Sequence, residues 1–158
     1  MTGVQTCALP ICFGTTKAVE YLSLAEIYLL KDKEEFQTLT QEVTYALSRV
    51  EIGGGRITGD GSIGAWACQA IKQYGMVKRG KYGDLDLTAY DEAQCRKLGK
   101  IGMSKDMENV AKLHPVKSYT KITNYKDAMV ALAQGFFITV CSNQGFSSTR
   151  DEQGFAKP

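Results

Sequence analysis

The chain is predicted to be an α+β protein. Helical periodicity fills its N-terminal part, strand-like patterns come only towards the C-terminus, and no regular alternation of strand and helix lies between. That order segregates helices from strands along the sequence instead of winding them into parallel βαβ units.

Residues 15–30 (TTKAVEYLSLAEIYLL) place Val19, Leu22, Ile27 and Leu30 at helical spacing, and Tyr21, Leu24 and Leu29 widen the apolar face. The charge run Lys31-Asp32-Lys33-Glu34-Glu35 ends that helix. A second helix is predicted at 38–49, with Thr38 or Thr40 as its cap and Val43, Ala46 and Leu47 inward. Gly53 to Ser62 holds so many glycines that helix and strand are both forfeited, so it is a loop. A third helix at 63–74 sets Trp66, Ala67, Ala70 and Ile71 on one face and stops at Gly75.

Residues 80–90 read as loop, and 91–98 and 104–113 as short helices, the latter ended by Pro115. Val116–Thr123 alternates as a strand, Tyr125–Ala133 is helical with Gly135 as its cap, and Phe136–Cys141 reads as a buried strand. Trp66, Tyr74, Phe136 and Phe137 are expected in the core.

Residues 1–11 are set aside from this scheme. Val4-Gln5-Thr6-Cys7-Ala8-Leu9-Pro10-Ile11 resembles a translated sequencing adapter, and it is no signal peptide: no Lys or Arg precedes Lys17, and Pro10 interrupts a very short apolar run. Residues 12–158 are then one domain.

Of the 158 residues, 44% are hydrophobic and 23% charged, an ordinary globular composition. A net charge of +2 argues for neither a nucleic-acid nor an anionic-membrane partner. No apolar run approaches the roughly 18 residues of a membrane span. Cysteines stand at 7, 12, 68, 95 and 141 with no CxxC spacing and a single histidine, His114, so no zinc site and no metal is implied. Cys68, Cys95 and Cys141 are expected as buried thiols in a reducing compartment, cytoplasmic in preference to secreted.

Gly59-Asp60-Gly61-Ser62-Ile63-Gly64 matches GxGxxG and opens a helix, as a pyrophosphate-binding turn would. A dinucleotide site also needs a buried strand before the glycines and an acid at the end of a second strand after them. Upstream there is only Arg49-Val50-Glu51-Ile52, and downstream Asp84 and Asp86 lie in no core strand. No Gly-Lys-Ser/Thr follows, so a Walker loop fails too.

With its neighbours, the same stretch resembles papain-like cysteine peptidases. A polar helix end, a glycine-rich loop and a helix running into Gln73-Tyr74-Gly75-Met76-Val77 match the middle of that family. Its Asn-Gly-Gly falls on Asp60-Gly61-Ser62, which the resemblance makes the substrate-binding residues. A backbone bare of side chains there lets an extended peptide approach. Gly61 keeps that property and Ser62 departs from it.

Cys12-Phe13-Gly14-Thr15-Thr16-Lys17-Ala18-Val19-Glu20 resembles the family's central helix, with the nucleophilic cysteine at its first turn. This makes Cys12 the catalytic candidate, its thiolate favoured by the helix dipole. In a second alignment Cys12-Phe13-Gly14 lies two positions beyond the nucleophile, whose place then falls within residues 1–11, as does that of the oxyanion-hole glutamine.

Tyr125–Ala133, Gly135 and Phe136–Cys141 resemble the helix and strand just before the family's catalytic histidine. Cys141-Ser142-Asn143-Gln144-Gly145-Phe146, Arg150-Asp151 and Gly154-Phe155 resemble divergent phage and environmental members, in which a Trp-x-His segment is expected shortly after Pro158. His114 comes too early in the order of elements to be the base, and reads as a helix-end residue. Arg150, Asp151 and Glu152 read as a solvated cluster.

The resemblance spans residues 12–158. It implies an incomplete papain-like fold (the helical part plus the start of the β part), thiol-dependent hydrolysis of a peptide or protein substrate, and no cofactor. It is compatible with a cytoplasmic or phage-associated setting. Without the family's histidine and asparagine the chain itself is expected to be inactive. Two other readings remain: a non-catalytic interaction or phage structural module of the same fold, and nucleotide binding at Gly59–Gly64.

Overall fold

The computed structural model describes residues 8–30, 35–140 and 151–153. Helix α1 runs over Ala8–Leu30, starting well before the predicted residue 15. Pro10 does not prevent this, because a proline in the first helical turn forfeits an N–H that has no intrahelical partner anyway. The buried face of α1 is Cys12, Thr15, Thr16 and Glu20, with Val19 half-buried beside them.

This corrects the predicted apolar face. Tyr21, Leu22, Leu24 and Leu29 are exposed, because the core elements pack on the N-terminal half of α1 and its C-terminal half projects past them. The buried polar groups are paired, as burial requires. Thr16 Oγ1 donates to Thr44 Oγ1 at 3.1 Å, and Glu20 Oε1 accepts the Leu39 N–H at 2.7 Å while Lys17 pairs with the same carboxylate.

Helix α2, Gln41–Ala46, is buried throughout and continues as a π-helical segment, Leu47–Ile52. Thr40 stands at its N-cap but does not cap it with its side chain. The Thr40 hydroxyl donates instead to the Val77 carbonyl at 3.1 Å, beside the Thr40 N–H at 2.8 Å. After the glycine-rich loop, α3 spans Gly64–Gln73, close to prediction. Gly75, at φ 91°, turns the chain where any Cβ would come within 2.1 Å of the Ala111 carbonyl oxygen.

Where sequence gave only loop, Lys81–Tyr82 (β1) and Leu85–Asp86 (β2) form a two-stranded antiparallel hairpin, with Lys81 opposite Asp86. Three helices follow, each opened by a side-chain cap of the kind that satisfies an orphan N–H. They are α4 at Glu92–Ile101 behind Asp91, α5 at Lys105–Ala111 behind Ser104, and α6 at Tyr125–Ala133 behind Asn124. The main core joins Val43, Ala46 and Leu47 to Ala70, Val77, Leu87, Leu98, Met107 and Ala111.

The two predicted strands are not formed. Residues 116–123 and 136–140 carry no strand pairing, and Cys141 lies outside the described residues. Alternation of apolar side chains fits a strand, but a strand exists only with a partner for its N–H and C=O groups. Val116 instead packs singly on Leu39, Ile71 and Met76. Phe136 and Phe137, expected in the core, are exposed, and Phe137 stacks on Tyr21 at 5.8 Å. Among the described residues the protein is therefore α+β in the coarse sense: mostly helical, with one small hairpin in mid-chain.

Candidate functional site

The loop between the π-helical segment and α3 is held from beneath by two side chains one helical turn apart, Tyr45 and Arg49. The Arg49 guanidinium is buried and donates to four backbone carbonyls. Nε reaches Gly99 O at 2.8 Å, one terminal nitrogen reaches Gly59 O at 2.7 Å and also Gly61 O, and the other reaches Ile57 O at 2.8 Å. Its positive charge lies over the Tyr45 ring, 5.1 Å from the centroid, a favourable cation–π placement.

The Tyr45 hydroxyl accepts the Gly61 N–H at 3.1 Å. Gly61 sits at φ 148°, a backbone region that favours glycine. Gly99 of α4 completes the packing, since a Cβ there would lie 2.2 Å from Tyr45 Cε1.

The three residues predicted to bind substrate meet on the rim of this loop, in different roles. The Asp60 carboxylate pairs with Arg96, which also holds Glu92 at 2.7 Å, so it ties the loop to α4. Gly61, expected to offer its backbone to a peptide, has both peptide groups engaged inside the protein, by Tyr45 and Arg49. The Ser62 hydroxyl turns inward to Ser48. Among the described residues, neither the N–H nor the C=O of Ser62 makes a hydrogen bond.

Cys12 is not in the first turn of its helix. It is the fifth residue of α1, fully buried in a cluster with Tyr45, Ala67 and Cys95. The upstream extension of the helix moves it away from the N-terminal N–H groups that would favour a thiolate. Cys95, as expected, is a buried thiol. Burial, then the nearby Glu42 and Cys12, push it up to about 12, the reverse of an activated nucleophile. Cys68 is half-buried.

His114 lies in the turn after α5, where its backbone N–H donates to Ala111 O and its C=O accepts from Met76 N, both at 3.0 Å. The helix-end placement is as predicted. Asp151 and Glu152 are exposed, and Arg150 lies outside the described residues.

The Gly59–Gly64 stretch does open α3, yet the element before it is the helical run Gln41–Ile52 and not a strand. The strand–turn–helix that a dinucleotide site uses is thus missing here. Among the described residues no cluster of three His, Cys, Asp or Glu side chains is placed to hold a metal. No described helix is long and apolar enough to cross a membrane.

Sequence reasoning did not single out Tyr45 and Arg49. Charge and a hydroxyl on a predicted helix read as surface, and what buries Arg49 is a set of carbonyls from distant segments that leaves no pattern in the sequence. No family model, curated protein or solved structure matches the chain.

Proposed function

We propose that the chain is the helical part of a papain-like cysteine peptidase, a protein that hydrolyses peptide bonds through a thiol nucleophile. The observation that supports this most is the role of Tyr45. It shares a buried cluster with Cys12 of the first helix, and its hydroxyl holds Gly61 of the glycine loop. A cysteine-bearing helix and a peptide-binding loop set side by side is the arrangement that the reaction needs.

The inward turn of the Ser62 hydroxyl supports the same reading. It removes the one side chain that would obstruct a substrate backbone where the family has glycine, and leaves the Ser62 peptide groups open. The burial of Cys12 favours the second alignment, in which the nucleophile stands two positions earlier. That position is the third residue of α1. In this chain it is occupied by Pro10, so no thiol stands there.

In the proposed reaction a thiolate at that position attacks the substrate carbonyl, a histidine moves the proton, and backbone donors steady the oxyanion. Cys12 and His114 cannot supply that pair as placed: the thiol is fully buried, and His114 stands in the turn after α5. The chain by itself is accordingly proposed to be inactive. The same observation favours a second reading, a non-catalytic interaction or phage structural module that keeps this fold without the chemistry.

The genomic coding sequence on both sides of residues 12–158 separates the two. The peptidase reading expects a Gln and a Cys upstream of Phe13-Gly14 and a Trp-x-His segment downstream. A locus that lacks both the cysteine and the histidine overturns it.

A further inference from the structure

The pinning of the loop fixes the direction of its peptide groups. A trans peptide unit is planar, with the C=O of one residue and the N–H of the next pointing opposite ways. Arg49 draws the carbonyls of Gly59 and Gly61 inward. The N–H groups of Asp60 and Ser62, which belong to those same two peptide units, therefore point away from the guanidinium. Neither has an intramolecular acceptor among the described residues. The Gly61 N–H between them points the other way, to Tyr45.

We propose that Arg49 is a positioning residue: by gathering the carbonyls of Ile57, Gly59 and Gly61 it aims the Asp60 and Ser62 N–H groups outward as a two-donor edge for the carbonyls of an extended peptide. The occupant rests on the peptidase reading given above; the aiming does not. The local chemistry suits the task. Arginine offers a rigid planar fork of donors and keeps its charge when buried, whereas lysine offers one flexible ammonium. Among the described residues no carboxylate pairs with Arg49, so its whole donor set is free for carbonyls. Gly99 of α4 and the Tyr45 ring of α2 hold the guanidinium in place.

The test uses the chain itself, residue-resolved amide hydrogen exchange, and titration with acetyl-tetraalanine amide, a peptide that offers backbone and little else. In the wild type the Gly61 amide should be protected and those of Asp60 and Ser62 should exchange quickly. The latter two should also show saturable amide shifts with the peptide. Arg49→Lys should abolish the contrast between Gly61 and its neighbours and weaken the peptide response at least tenfold. Val43→Ala, a core change at a residue that makes none of the loop's hydrogen bonds, should leave that response within twofold, which separates positioning from mere loss of stability.

An unchanged exchange contrast and peptide response in Arg49→Lys would overturn the proposal. If Arg49→Lys does not fold, Tyr45→Phe takes its place, because it removes one hydroxyl and leaves the guanidinium. It should free the Gly61 amide yet keep fast exchange and peptide shifts at Asp60 and Ser62; loss of those shifts would overturn the assignment to Arg49. If the exchange contrast depends on Arg49 but the wild type does not respond to peptide, the aiming role stands and the peptide-binding reading of the loop falls.

Discussion

The Tyr45 hydroxyl accepts the Gly61 N–H at 3.1 Å and so joins a buried helix to the turn of the glycine loop. Gly61 is itself buried, and removal of the acceptor strands its N–H. Tyr45→Phe should destabilise the fold by about 1–3 kcal/mol, the cost of an unsatisfied buried donor. Denaturant midpoints at constant slope would measure it. A change below a few tenths of a kcal/mol would mean that water replaces the hydroxyl.

Two glycines near this pair should respond very differently to the same substitution. A Cβ on Gly99 would stand 2.2 Å and 2.7 Å from atoms of the Tyr45 ring, whereas one on Gly59 would meet nothing within 4 Å. Gly99→Ala should cost about 1–3 kcal/mol through overpacking, despite the better helix propensity of alanine. Gly59→Ala should stay within about 0.5 kcal/mol of the wild type. Thermal melts of the two variants side by side decide the matter.

Glu42 and Arg79 form a second buried polar centre. Arg79 donates to both Glu42 oxygens, at 3.2 and 3.1 Å, and to Leu87 O at 3.1 Å, and the Asp91 N–H reaches the same carboxylate at 3.3 Å. The pair thus ties α2 to the cap of α4. Arg79→Met leaves a fully buried carboxylate without its cation and should cost about 3–5 kcal/mol. The double variant Glu42→Gln/Arg79→Met should recover part of that loss, as a double-mutant cycle in chemical denaturation would show.

Alkaline pH should weaken the fold through Cys95. Burial raises this thiol from 9.0 to about 12, so the folded state holds its proton more tightly than the unfolded one. The contribution is therefore complete below the unfolded value and is lost as pH climbs through the window from 9.0 to about 12. Tyr90, raised by burial from 10.0 to about 12, adds in the same direction. Cys95→Ala should flatten the fall in denaturation midpoint between about pH 8 and about pH 11. In the native protein, iodoacetamide should modify the half-buried Cys68 well before Cys95.

The local rules of the chain were legible and the non-local ones were not. The third helix with Gly75 behind it and the helix Tyr125–Ala133 could be read because periodicity and a glycine stop act within a few residues. Among the described residues, 116–123 and 136–140 find no partner to make the predicted strands, and no stretch of sequence can supply a partner from within itself. The hairpin at Lys81–Asp86 escaped notice because two-residue strands are too short to show alternation.

At the site, the sequence placed Asp60, Gly61 and Ser62 together on a loop. It did not reveal that Gly61 spends its peptide groups inward while Ser62 keeps its own open, because that division is made by Tyr45 and Arg49 from the helix beneath.

The peptidase proposal makes the first helix the seat of the nucleophile. The most direct measurement is covalent labelling of the protein, completed from its genomic sequence, with a peptidyl epoxide, followed by mass-spectrometric mapping. One label is expected, on a cysteine in the first turns of that helix, abolished when that residue becomes alanine. Labelling confined to Cys68, Cys95 or Cys141 would contradict it.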